Sequence, residues 1–249
     1  MDSTDTLFAS IGDPATDEDS AWEAIRELQS IATRDVLERS VHLTTHDHPR
    51  VRAHAASVLG QLGIPDRVFP DECFQTLLDR LEIEHDEEVI DAVICAMGHL
   101  HDARAIAPVL KFAEHKNEEI RFAVAFALCG RREPQAVAAL IALTRDSDAE
   151  VRDWATFGIG ANSEADTPEI RDALINRLKD SDGNTRQEAL CGLVRLRDKR
   201  VVLPLIDHLK AHPSDSLLLS AAGEFLGWDD KRTTNSSLDE ILAGLAERR

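Results

Sequence analysis

Tyrosine is absent from the 249 residues, and Phe and Trp bring the aromatic share to only 4%. Ala and Leu carry the apolar content instead, which favours helix over strand. Cysteine is scarce: Cys73, Cys95, Cys129 and Cys191 lie too far apart for a CxxC pair, so a zinc or thioredoxin reading has little support. They fall at apolar or small-residue positions, where a free thiol acts as a small hydrophobe. This points to a reducing, cytoplasmic compartment. No apolar run reaches about 18 residues, so no membrane span is expected. The N-terminal MDSTDTLFASIGDPATDEDS is acidic and lacks the long apolar core of a secretory leader. Basic residues are also short, 28 against 46 acidic ones, for a net charge of -18. Such a surface repels phosphate backbones and anionic lipid, which argues against nucleic-acid and membrane partners and for a basic protein partner. The plainer reading, that acidity only maintains solubility, stands beside it.

What is present is a repeat. Hydrophobic residues make up 43% and charged ones 30%, enough for a core. Segments starting at Val51, Val89, Ile120, Val151, Thr185 and Leu217 read VRAHAASVLGQLG, VIDAVICAMGHLH, IRFAVAFALCGRR, VRDWATFGIGANS, TRQEALCGLVRLR and LLLSAAGEFLGWD. Their spacings of 38, 31, 31, 34 and 32 suit one pair of short helices per unit. Offsets 0, +4, +8 and +11 share one helical face: Val51, Ala55, Leu59 and Leu62 in the first copy, and Val151, Ala155, Ile159 and Asn162 in the fourth. Three residues before the anchor stands a capping type, Asp86, Asn117, Asp148, Asp182 or Ser214, with His48-Pro49 in the first copy. Second helical patterns lie between: ARAIAPVLKFAEH, PQAVAALIALTR, TPEIRDALINRLK and KRVVLPLIDHLK, two of them capped by Asp102 and Asp198. The fold class expected is all-α, a right-handed solenoid of six to seven helical pairs over residues 17–228. Residues 1–16 are expected to be a flexible segment, and 229–249 a polar break and capping helix.

The pattern D-x-x-V-R-x-x-A-x-x-x-L-G, then D-x-R-A-x-x-P-L, resembles the short bacterial HEAT-like repeat associated with phycobilisome lyases. Asp148, Val151, Arg152, Ala155, Ile159 and Gly160 match the first part. Asp102, Arg104, Ala105, Pro108 and Leu110, and Asp198, Arg200, Pro204 and Leu205, match the second. The resemblance implies architecture more than activity. Similar proteins include scaffolds, immunity proteins, chromophore-lyase subunits and, more distantly, DNA glycosylases. Arg52, Arg121, Arg152 and Arg186 recur at offset +1, where a desolvated guanidinium needs carboxylate or carbonyl partners.

The Ala- and Gly-rich helices are thin, so their layer should be the shorter one and line a concave face. The resemblance implies the same placement. Offsets +2 and +6, with +3 at the edge, then point away from the core. They place Phe122, Phe126, Trp154 and Phe157 in one aromatic patch, with Glu88, Asp91, Asp153 and Glu188 around it. An apolar centre with a charged rim has the anatomy of a binding hot spot. Rings four residues apart also suit an ordinary core, and both readings stand at this point.

Sites for chemistry are sparse. His208 and His212 are four apart on one helix, and His99 and His101 flank Leu100, but no third ligand is evident, so no metal or cofactor is expected. No GxSxG, P-loop or GxGxxG occurs, and Gly158 and Gly160 belong to a repeat helix. No catalytic residue is assigned. The expected function is a non-catalytic protein-binding scaffold or adaptor, an immunity or inhibitor protein among the possibilities. A lyase subunit or a DNA glycosylase using Asp153 and Trp154 is the alternative. Oligomeric state and partner identity are not encoded in any pattern above.

Overall fold

A computed structural model describes residues 3–160 and 165–248, and the regular elements among them are all helical. The chain divides into two compact units, residues 1–127 and 128–249. In the first, α1 (Ser3–Gly12) packs on α2 (Glu18–Ile31), α3 (Arg34–Leu43) on α4 (Pro49–Gly60), and α5 (Pro70–Ile83) on α6 (Glu87–Leu100). A 3-10 turn at Ala103–Ala105 leads into α7 (Ile106–Leu110), followed by α8 (Glu118–Leu128). In the second, α9 (Pro134–Leu143) packs on α10 (Ala149–Gly160) and α11 (Pro168–Arg177) on α12 (Gly183–Arg195). A 3-10 turn at Lys199–Val201 then opens α13 (Val202–Ala211), which packs on α14 (Ser216–Leu226). Short α15 (Asp230–Asn235) and α16 (Leu238–Ala246) complete it, α16 lying on α13 and α14. Each unit is an α-solenoid segment, in which a helical pair buries its apolar stripe against the next pair.

The repeat frame sets the core. Val51, Val89, Ile120, Val151 and Thr185 are fully buried, as are the +4 residues Ala55, Val93, Val124, Ala155 and Ala189. The last copy is shifted by one residue from the sequence alignment. Leu217 is 51% exposed while Leu218 is buried, because Asp215, not Ser214, caps α14 through the Leu218 amide. Starting a helix one residue later rotates its apolar face by about 100°. Asp86, Asn117, Asp148 and Asp182 cap as expected, and His48 precedes Pro49 at the start of α4. Asn162 lies outside the described residues.

Part of the 1–16 segment, expected to be flexible, is regular structure. Ser3–Gly12 is helical because Phe8 and Ile11 share one face and bury against the adjoining elements, with the Arg39 guanidinium 3.9 Å above the Phe8 ring. The polar 229–249 stretch contains α15 as well as the expected capping helix. Thr233 of α15 fits over Gly223, where a Cβ would meet its hydroxyl at 2.0 Å.

Thin helices do pack closely. A Cβ built on Gly60 of α4 would lie 2.6 Å from the Ala96 Cα of α6. One on Gly192 of α12 would lie 2.7 Å from the Gly160 Cα of α10. Only glycine permits such backbone approach.

Arginines tie successive turns together. Nη1 of Arg52, Arg121 and Arg152 donates to carbonyls five and six residues upstream: His46 and Asp47, His115 and Lys116, Asp146 and Ser147. The opposite edge of Arg52 grips Glu84, and that of Arg152 grips Asp180, both acceptors almost wholly buried. Buried forks of this kind satisfy every lone pair they desolvate. The D-x-R motifs form a second tie. Asp102 caps the Arg104 amide and pairs with its guanidinium, which reaches Asp71; Asp198 and Arg200 repeat this toward Asp172.

Candidate functional site

Helices α6 and α8 in the first unit, and α10 and α12 in the second, carry the stripe assigned to binding. Each of its seven residues, Asp91, Phe122, Phe126, Asp153, Trp154, Phe157 and Glu188, is half-buried. The stripe is therefore neither wholly core nor free in solvent. Inner helices of a stack flank one another, so side chains at +2 and +6 lean on the neighbouring helix.

In the first unit Asp91 stands on α6. Burial, and then the charges of Glu119 and Glu88, push its carboxyl up to about 6. Cys95, one turn further along, has its thiol pushed well up by burial and by Asp91. Phe126 of α8 meets His99 edge-on at 4.9 Å and rests on Gly98, where a Cβ would come within 3.0 Å of the ring. Phe126 is thus seated by a glycine notch, and part of its ring belongs to the packing between α6 and α8.

In the second unit α10 presents Asp153, Trp154 and Phe157 together. The Trp154 and Phe157 rings are tilted 40° with centroids 5.5 Å apart, within the range of favourable aromatic pairs. Beside them Asp153 is desolvated, and its Oδ1 is sealed from solvent with no hydrogen-bond partner among the described residues. Burial, then the charges of Asp182, Asp180 and Glu150, push its carboxyl up. Glu188 on α12 is pushed up by burial and by Asp153. Two carboxylates thus repel each other across adjacent helices with no cation between them among the described residues. Next to Glu188, Gln187 donates to Asp215 at 3.2 Å and ties α12 to the start of α14. Its partner lies 28 residues away, beyond the reach of any local sequence pattern.

Other candidates resolve differently. His208 Nε2 lies 2.9 Å from Asp215 Oδ2 and the ring stacks on His212 at 4.5 Å. Among the described residues no group of three or more His, Cys, Asp and Glu is placed to hold a metal ion. None of the described helices is long and apolar enough to cross a membrane.

Stacked helical pairs, capped inner helices and arginine ties together describe a repeat architecture, and a sequence profile of HEAT repeats matches residues 74–160 and 137–227. The chain belongs to the HEAT-repeat family. Protein YibA of Escherichia coli K12 is 27% identical, with 87% of this chain and 83% of YibA covered. The X-ray structure of YibA superposes with a TM-score of 0.76 at 24% identity, covering 98% of this chain and 91% of YibA. An archaeal HEAT-like repeat protein from Thermococcus onnurineus NA1 shares the fold at a TM-score of 0.55 and 15% identity, covering 99% of this chain and 98% of its own. The CpcE–CpcF complex of phycocyanin lyase from Nostoc sp. PCC7120 does so at 0.54 and 15%, covering 100% and 94%. At such identities these structural likenesses speak for the HEAT-repeat fold alone.

Proposed function

We propose that this HEAT-repeat protein is a non-catalytic, protein-binding scaffold whose α10–α12 face receives a basic partner. The observation that carries this reading is the pair Asp153 and Glu188, desolvated, mutually repelling and uncompensated, beside the Trp154–Phe157 rings. An unpaired buried carboxylate costs stability in the free protein. A lysine or arginine from a partner removes that cost and gains a ring face for its stem and charge. Asp91, with Phe122 and Phe126, provides the same chemistry in the first unit. The net charge of -18 steers basic surfaces toward both. An inhibitor or immunity protein that covers a basic surface is one form such a scaffold takes. The same charge opposes duplex DNA, so no DNA binding is expected even at low salt.

Affinity purification with mass spectrometry, run in parallel on the wild type, D153N/E188Q and F126S/F157S, tests the reading. Partners should be retained by the wild type and lost by both variants, with D153N/E188Q folded and at least as stable as the wild type. Retention of the same partners by D153N/E188Q would refute it.

A further inference from the structure

A second feature of the second unit is independent of that face. Arg52 and Arg152 each use two edges: Nη1 toward upstream carbonyls, and the Nε/Nη2 fork toward a carboxylate at 2.9–3.0 Å. The carboxylate always stands two residues before the capping aspartate of the next inner helix, Glu84 before Asp86 and Asp180 before Asp182. Arg186 reproduces only the first half. Its Nη1 donates to the carbonyls of Asp180, Ser181 and Asp182 at 2.7, 3.0 and 3.0 Å. Two residues before the next cap, Asp215, the chain has Pro213. No acidic side chain of the described residues meets the Arg186 fork.

Arg186 instead lines a cavity of about 510 Å³ between α11, α12 and α13. Leu178, Leu190 and Pro204 form its apolar wall, and Lys179 joins Arg186 as a second cation without an ion-pair partner among the described residues. Two further basic groups of the wall are already engaged, Arg200 by Asp198 and Asp172, and His208 by Asp215. Asp207, also on the wall, adds one negative charge.

We propose that this cavity binds a carboxylate on a short apolar stem, gripped by the Arg186 fork as Arg52 grips Glu84 and Arg152 grips Asp180. The planar fork matches the two oxygens of a carboxylate, and the apolar wall accepts the stem. Asp207 and the acidic surface select a singly charged ligand over a polyanion. A free aliphatic acid and the C-terminus of a peptide ending in an apolar residue share this chemistry.

The full chain, isotope-labelled for NMR, is titrated with hexanoate, with hexanol, and with a pentapeptide ending in Leu in free-acid and amidated forms. Hexanoate should shift resonances around the cavity saturably while hexanol does not. Lysine cannot offer the fork, so R186K should weaken binding about tenfold or more while the fold is retained. P213D puts the chain's own carboxylate at the fork; it should abolish binding and raise the melting temperature, whereas P213A should bind as the wild type does. Tighter binding of the free-acid peptide, lost on amidation, assigns the site to a chain end; equal binding assigns it to small acids. The proposal is overturned if neither hexanoate nor the peptide binds the wild type, or if R186K and P213D bind as well as the wild type.

Discussion

Replacing Asp91 by Asn should make the protein more stable at neutral pH, although it removes a charged side chain from a helix. The carboxyl is raised from an ordinary 3.8 to about 6, first by burial on α6 and then by Glu119 and Glu88. At about 1.4 kcal/mol per tenfold, that rise corresponds to roughly 3 kcal/mol of destabilisation by the ionised form. Partial exposure screens the charge, so about 1–2 kcal/mol is the working figure. For a chain of this size that is a gain of about 3–6 °C in melting temperature at pH 8. The sign fixes the pH dependence. A folded pKa above the unfolded one means that wild-type stability from this group is full below about pH 4 and is lost as pH rises through about 6. The Asn variant, which does not titrate there, should match the wild type near pH 4 and exceed it above pH 7. Thermal melts by circular dichroism from pH 4 to 8 measure this. An Asn variant that is less stable at pH 8, or a difference that does not change with pH, would show that Asp91 has a compensating interaction and that the reasoning fails.

Opposite behaviour is expected at the arginine ties. R152M leaves Asp180, 3% exposed, with Arg177 at 2.8 Å as its one remaining ion-pair partner among the described residues, and should cost about 3 kcal/mol in urea unfolding at pH 7. Burial pushes the Asp180 carboxyl up, but Arg152, the Asp182 amide and Arg177 more than reverse this, so the deficit should shrink as pH falls through the carboxylate range. G60A should cost about 1–3 kcal/mol, since its Cβ would meet the Ala96 backbone at 2.6 Å, whereas G12A, with nothing within 4 Å, should melt close to the wild type.

The stripe residues were named from offsets alone, and their environment was not. Offsets +2 and +6 identify Asp153 and Phe157 as sharing a face. Nothing in the local sequence shows that Asp153 would raise the carboxyl of Glu188, 35 residues on, because that depends on how closely α10 and α12 approach. The closeness comes from Gly160 meeting Gly192, a pairing between repeats. Likewise the missing carboxylate at Pro213 is visible in the sequence only once the structure shows what Glu84 and Asp180 do. At Leu217 the helical frame moves by one residue because Ser214 and Asp215 are both good caps, and packing selects Asp215.

The sequence by itself determined the helical pairs, their caps and the buried anchors, because those follow from a 3.6-residue period and from hydrogen bonds reaching a few residues along the chain. The tertiary structure alone decided which carboxylates are desolvated, that no acidic side chain of the described residues meets the Arg186 fork, and how deeply the rings sit. Burial and charge coupling depend on distances between segments some thirty residues apart, and those distances are set by the packing of one repeat on the next.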